Sequence, residues 1–255
     1  MMHFLKKKRI NKSLTNTAFG RNIVYMPVCD STNEVAKRNL DLPHGTVFIA
    51  DSQTNGKGRL GRSWASEKKS GIYMSILLKP ELDPESVPQI TLVAAVAVCR
   101  ALGCNTKIKW PNDIVIGTRK VCGILTERVD NSVICGIGIN VNTKSFPEEI
   151  SDTATSLYIE TKEKHDVDYI CAIVMNEFEI LYDRFIDEGF IAIVDEYKSC
   201  CVTLNRDVVV IRGGDEISAY AYDISPTGEL MLETDDGDIE VQSGEVSVRG
   251  IYGYV

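Results

Sequence analysis

The sequence has few histidines, no paired cysteine motif and no long uncharged apolar run. Its three histidines, His3, His44 and His165, are scattered, which argues against an imidazole-built metal cluster. Eight cysteines are present, but none stands in a C-x-x-C pair, and adjacent Cys200 and Cys201 have no zinc-ligand partners nearby. Free, mostly buried thiols in a reducing cytoplasm are the expectation. No window of 18 or more uncharged apolar residues occurs; the longest apolar stretch, Ile90 to Cys99, reads as a buried helix. The basic start MMHFLKKKRIN leads into polar residues rather than an apolar core, unlike a secretory signal. With a net charge of −8, the chain also lacks the positive excess of a general nucleic-acid binder.

What is present is ordinary globular composition: 44% apolar and 25% charged residues over 255 positions. That length allows a large domain plus a small one. Residues 1–20 read as a polar, basic tail. Ser31-Thr32-Asn33-Glu34 has capping-box form and predicts a helix to about Leu40. Residues 46–51 and 71–79 read as strands around a glycine-rich loop, 52–70. A helix is predicted over 87–102, with Gly103 past its end. Strands at 106–110, 114–116, 121–129 and 132–142 follow so closely that they must run antiparallel, since a parallel crossover needs a dozen or more residues. Residues 167–187 carry an amphipathic helical stripe, and 190–199 a second short helix. From residue 202 onward, five short alternating strands predict a small β-barrel of SH3-like size. The expected fold class is α+β: a mixed, mainly antiparallel sheet with helices on one face over 21–200, then an all-β domain over 201–255.

Four segments carry chemistry. Gly56-Lys57-Gly58-Arg59-Leu60-Gly61 matches G-x-G-x-x-G, but no apolar helical stripe follows and no acidic residue lies at 70–80. The dinucleotide reading therefore fails. What survives is an anion-friendly loop: Lys57, Arg59 and Arg62 fall within six positions, and no acidic residue occurs from Ser52 to Ser66. On charge alone, a solvated surface loop is the plainer alternative. Lys109-Trp110-Pro111-Asn112-Asp113 is a turn whose Asn112 and Asp113 also offer the oxygen donors that Mg²⁺ takes beside phosphates. Lys120 stands at a turn-to-strand junction. Gly123, Gly136 and Gly138 lie inside strands, where glycine often marks the close approach of a ligand or backbone.

In their order, GKGRLGRSW, KWPND, RKVCGILTE and GIGINVN, preceded by the DSTN of Asp30–Asn33, resemble the biotin protein ligase family over about residues 21–160. Lys57 departs from the arginine common at that place, keeping the charge but not the planar fork. Twenty residues ahead of the resemblance are too few for the family's DNA-binding domain, so the monofunctional type is the expectation. The resemblance implies two steps: biotin is activated by ATP as biotinyl-5′-AMP, then passed to a lysine of a biotin carboxyl carrier protein or a biotin-dependent carboxylase domain. Neutral hydrogen-bonding groups, Ser31, Thr32, Asn33 and Gln53, suit the ureido head. Gly56, Lys57, Gly58 and Arg59 would close over biotin, and Gly123 and Gly136 would floor a groove for its apolar chain. Lys120 and Arg59 are the expected catalytic cations, facing the carboxylate and α-phosphate. Arg62, Lys109, Asn112 and Asp113 would hold the triphosphate, the last two with Mg²⁺. The family implies that Trp64 stacks on adenine and Asn140 bonds its edge. No nucleic-acid or membrane partner is expected; a homodimer is left open. A lipoate- or octanoate-transferring relative and a non-enzymatic regulatory binding protein are the rival readings.

Overall fold

A computed structural model of the chain describes residues 2–15, 17–103, 105–212, 215–243 and 247–250; Cys104 lies outside them. The first unit contains β1 (Ile23–Met26), β2 (Thr46–Ala50), β3 (Gly71–Leu78), β4 (Thr106–Lys109), β5 (Asp113–Ile116), β6 (Arg119–Val129) and β7 (Ser132–Asn140). Its helices are α1 (Met2–Asn11), α2 (Thr32–Lys37), α3 (Gln89–Leu102), α4 (Leu157–Thr161), α5 (Val167–Glu188) and α6 (Val194–Cys200). The second unit is five strands: β8 (Arg206–Arg212), β9 (Asp215–Ile224), β10 (Leu230–Thr234), β11 (Gly237–Val241) and β12 (Ser247–Gly250).

The seven strands form one sheet in the order β1-β2-β3-β7-β6-β5-β4. Only the β1–β2 pair is parallel, because α2 supplies the crossover between them. The sheet is thus mixed and mainly antiparallel, as expected. The second sheet is wholly antiparallel, in the order β11-β10-β9-β8-β12. Its five strands fall where the alternation put them, and among the described residues they pair as one open row of five.

The period-2 alternation of the strands sorts their residues into two faces. On β3, Ile72, Met74, Ile76 and Leu78 enter the main core with α3 and α5; on β7, Val133, Cys135, Ile137 and Ile139 do the same. The opposite face carries Tyr73 and Ser75 of β3, Gly136, Gly138 and Asn140 of β7, and Gly123, Leu125 and Glu127 of β6. The expectation of helices on one face only is corrected: α2 packs on this second face, where Ala36 joins Phe48, Leu77 and Ile134 in a small separate cluster. By length and composition the stretch Pro84–Leu102 is apolar enough to cross a membrane. Here it is the central core helix, buried from Gln89 to Cys99.

Two further readings need correction. Ser31 takes the N-cap position of α2, but its side chain makes no cap bond. Glu34, the other half of the expected box, is drawn instead to Lys37 at 2.9 Å and Lys57 at 2.6 Å. Residues 2–20 are not a loose tail. The helix α1 has almost no amphipathic stripe, yet Ile10 and Phe19 are fully buried. Buried Glu179 of α5 explains the anchoring. Its carboxylate accepts from Thr17 N at 2.6 Å, Thr17 Oγ1 at 3.0 Å, Ala18 N at 3.0 Å and Phe19 N at 2.5 Å. Asn176, one helical turn earlier, accepts from Thr15 N and donates to Ser13 O. A partner side chain more than 150 positions away is invisible to local periodicity.

Burial pushes the Glu179 carboxyl up, but its backbone and hydroxyl donors outweigh burial and hold it below the usual range. A depressed folded pKa contributes stability above the unfolded pKa, which is lost as pH falls through the folded value. Glu179→Gln turns an amide N–H₂ toward backbone donors. It should cost about 2 kcal/mol at pH 7, or roughly 4–8 °C in Tm. Thermal melts at pH 7 and pH 3.5 check this: the gap between wild type and variant should narrow at the lower pH.

Candidate ligand-binding and catalytic site

The site forms on the face of the sheet that α2 covers only in part. Glycine rows open it. Gly123, Gly138 and Tyr73 are mutual neighbours across β6, β7 and β3, and Leu125, Gly136 and Ser75 form the next row. A Cβ on Gly136 would lie 2.2 Å from Asn33 Oδ1, and one on Gly138 2.6 Å from the Trp64 indole. A Cβ on Gly123 would meet the same ring at 2.9 Å. The missing side chains are thus replaced by Asn33 from α2 and Trp64 from the glycine-rich loop. These strand glycines line the pocket themselves and also admit two protein side chains beside them.

The first pocket is a small cleft on this face. Ser31, Thr32, Asn33 and Gln53 line it, together with Lys57, Gly58, Arg59, Trp64, Lys120, Gly123 and Gly136. Its polar wall is one connected network. Gln53 Oε1 accepts from Thr32 N at 2.8 Å, and Gln53 Nε2 donates to Ser66 Oγ at 2.8 Å. Ser75 Oγ lies 2.7 Å from Thr32 Oγ1 and 2.5 Å from Asn33 Oδ1. Asn33 Nδ2 donates to Glu127 Oε2 at 2.8 Å. Ser31, released from capping, is buried against this wall. The indole Nε1 of Trp64 is buried without a hydrogen-bond partner among the described residues, leaving a donor for a ligand acceptor. Ser75, Glu127, Tyr73 and Gly138 were missing from the expected site set; the strand alternation that places them opposite the helices is the signal that finds them.

A second pocket adjoins the first and shares Gly58, Arg59, Trp64, Asn112 and Lys120 with it. Arg62 and Lys109 add to its positive wall, and Trp110, Pro111 and Asp113 complete it. Lys109, at the end of β4, is nearly fully buried. Burial pushes its ammonium down to about 8; Asp113 opposes the shift, while Lys120, Arg62 and Arg249 add to it. Lys120 Nζ pairs with Asp113 Oδ1 at 2.6 Å and sits 5.3 Å above the Trp64 ring. The Lys57–Glu34 pair, by contrast, turns that ammonium toward α2.

The loop itself is a small hairpin. Trp64 N donates to Gly56 O at 2.8 Å and Gly58 N to Arg62 O at 2.7 Å. A Cβ on Gly56 would strike Trp64 O at 2.5 Å, so this glycine serves the loop's own closure rather than lining the pocket. Leu60 and Gly61 turn the tip through positive φ. From the tip, Arg59 Nη1 donates to Asn112 Oδ1 at 2.8 Å, and Nη2 donates to Ser243 O of the second unit. Trp110 fastens the two units from behind: its N donates to Thr203 Oγ1 at 2.9 Å and its Nε1 to Gly228 O at 3.2 Å.

Two expected roles do not match this arrangement. Asn140 lines neither pocket; its Nδ2 donates to Thr155 O at 3.0 Å, holding the segment after β7. Asn112 and Asp113 offer a poor resident metal site. Asn112 Oδ1 already accepts from Arg59, and Asp113 is paired with Lys120. Among the described residues no three His, Cys, Asp or Glu side chains gather into a metal-binding group.

Comparison with known proteins agrees with this geometry. Residues 25–143 match the Biotin/lipoate A/B protein ligase family, and residues 203–249 match the Biotin protein ligase C terminal domain. The bifunctional ligase/repressor BirA of Bacillus spizizenii is 37% identical over 96% of this chain and 79% of its own length. The biotin–[acetyl-CoA-carboxylase] ligase of Mycobacterium tuberculosis is 30% identical, with 79% of this chain and 78% of that protein aligned. The structure of the biotin protein ligase from Aquifex aeolicus in complex with biotin and ATP superposes with a TM-score of 0.83 at 33% identity, covering 90% of this chain and 99% of that one. The chain belongs to the biotin protein ligase family.

Proposed function

We propose that this protein is an ATP-dependent biotin protein ligase that makes biotinyl-5′-AMP and transfers the biotinyl group to a lysine of a biotin carboxyl carrier domain. The observation that carries this reading is the shared wall of the two pockets. A neutral, hydrogen-bonding chamber and a cationic one meet at Arg59 and Lys120. Such a pair suits a ligand with an uncharged polar head and a carboxylate, set beside a nucleotide triphosphate.

The ureido head lies against Ser31, Thr32, Asn33 and Gln53, and the apolar chain runs past Trp64 toward Lys120. The triphosphate lies along Arg62 and Lys109. A carboxylate oxygen attacks the α-phosphorus, the bond to the bridging oxygen of the β-phosphate breaks, and pyrophosphate leaves. Two anions must approach, and the Lys120 and Arg59 cations offset their repulsion and the charge that develops. The amine of the acceptor lysine then attacks the acyl carbon, and AMP departs with the electron pair of the broken acyl–oxygen bond. The loop carrying Arg59 and Trp64 closes over the mixed anhydride and excludes water. Mg²⁺ enters as part of the nucleotide substrate, since the Asn112 and Asp113 oxygens are engaged with Arg59 and Lys120. The acceptor's identity, a homodimer, the lack of a nucleic-acid partner and a cytoplasmic location belong to this proposal as well.

Biotin-dependent exchange of radiolabelled pyrophosphate into ATP tests the reading. Exchange with biotin and none with lipoate or octanoate is the expected outcome; exchange with lipoate alone would reverse it. Lys120→Ala should lower the exchange rate by roughly 10²–10³-fold, the size of one lost transition-state donor. Single-turnover formation of the adenylate measures it, and a near wild-type rate would remove Lys120 from the chemistry.

Lys109 predicts a pH effect. Its ammonium is charged below a pKa of about 8 and neutral above it, so its pull on the triphosphate weakens as pH rises. The kcat/KM for ATP should therefore fall through a step near that pH, because this ratio reports the free enzyme. Lys109→Arg, which stays protonated, should flatten the step. A pH profile of pyrophosphate exchange at limiting ATP reads both.

A further inference from the structure

Glu127 has no place in the chemistry above, yet it ends the polar chain behind the first pocket. Its Oε1 accepts from Lys37 Nζ at 2.8 Å, and its Oε2 accepts from Asn33 Nδ2 at 2.8 Å. The Leu125 carbonyl also faces that amide, at 3.3 Å. A carboxylate and a carbonyl are acceptors only, so the N–H₂ end of Asn33 must point at them. Its Oδ1 is thereby turned to Ser75 Oγ, 2.5 Å away. Ser75 has one hydroxyl proton. That proton serves either Asn33 Oδ1 or Thr32 Oγ1, 2.7 Å away on the pocket wall; committed to the shorter contact with Asn33, it leaves the Thr32 hydroxyl, which also reaches Gln53 Oε1 at 3.2 Å, to supply the proton toward Ser75 and keeps both Thr32 lone pairs free.

We infer that Glu127 is a positioning residue which, by fixing the Asn33 amide and through it the Ser75 hydroxyl, keeps Thr32 Oγ1 open as an acceptor for a ureido N–H. The inference rests on the reading of the first pocket as the ureido site. The polarity passes from a charged group that cannot donate, through an amide and a hydroxyl, to a hydroxyl that lines the pocket. Reversing the first link reverses the rest. With Asn33 flipped, its N–H₂ donates to Ser75, the Ser75 proton turns to Thr32 and fills one of its two lone pairs, and the Thr32 proton turns to Gln53 Oε1, which weakens Thr32 as an acceptor for the ligand. A half-buried carboxylate is therefore placed where a glutamine of the same shape would leave the orientation undecided.

Glu127→Gln tests this without changing side-chain volume. The KM for biotin in pyrophosphate exchange should rise about 10-fold, the effect of one lost hydrogen bond, with kcat at saturating biotin and the KM for ATP within about 2-fold of wild type. Lys37→Met breaks the same ion-pair chain but leaves a carboxylate facing Asn33, so its KM for biotin should stay within about 2-fold of wild type. Glu127→Asp keeps the charge and should retain most of the affinity, which covers the case in which the glutamine variant folds poorly. Titration of biotin by calorimetry without ATP gives the same comparison independently of turnover. Equal losses in Glu127→Gln and Lys37→Met, or no loss in Glu127→Gln, would overturn the inference. A wild-type protein without biotin-dependent exchange would instead overturn the ligase reading itself.

Discussion

The absence of side chains at three strand positions is the constraint on which the site depends. Gly123, Gly136 and Gly138 face away from α3 and α5, and their neighbours across the sheet are Tyr73, Ser75, Leu125 and, for Gly123 and Gly138, each other. A methyl group at Gly136 or Gly138 would overlap a side chain already in place. Because those volumes are empty, Asn33 and Trp64 lie directly on the sheet, and the pocket can be lined by groups from α2, the loop and three strands at once. Glycine inside a strand weakens it. That loss is tolerated here because the other face of the same strands is packed into the main core by Val133, Cys135, Ile137 and Ile139.

Electrostatics supply the second half of the design. An acidic protein collects Arg59, Arg62, Lys109 and Lys120 around one pocket, and burial of Lys109 brings its ammonium near the range in which it titrates. Like charges held together are costly, and the structure offsets the cost locally. Asp113 pairs with Lys120, and Arg59 is held by two neutral oxygens, one on β5's flanking turn and one in the second unit. An incoming polyanion completes the balance, which makes the pocket selective for charge before any shape is read. On the other side of Trp64 the wall is neutral and its donors and acceptors are ordered by a single carboxylate behind it.

The second unit is part of this arrangement. Ser243 reaches the loop tip through Arg59, Trp110 bonds Thr203 and Gly228, and Lys198 of α6 pairs with Asp223 of β9 at 2.7 Å. The loop is therefore tied at its base to the sheet and at its tip to both units.

Local sequence determined the elements whose cause is local. Strand alternation, the apolar run of α3, the stripe of α5 and the short links between β4 and β7 set type, order and antiparallel pairing. The ordered motifs from DSTN to GIGINVN identified the family and named most residues that the fold gathers at the two pockets, because each motif sits on its own strand or loop and keeps its chemistry wherever that element packs. Tertiary structure alone decided what depends on partners distant in sequence. The anchoring of residues 17–19 depends on Glu179, the side chains that fill the glycine rows are Asn33 and Trp64, and the Asn140 amide donates to Thr155. The capping box is likewise replaced: Ser31 makes no cap bond, and Glu34 pairs with Lys57 across the loop. Glu179, Asn33, Glu34 and Asn140 each have several possible partners of similar strength, and only the packed fold brings one of them within about 3 Å.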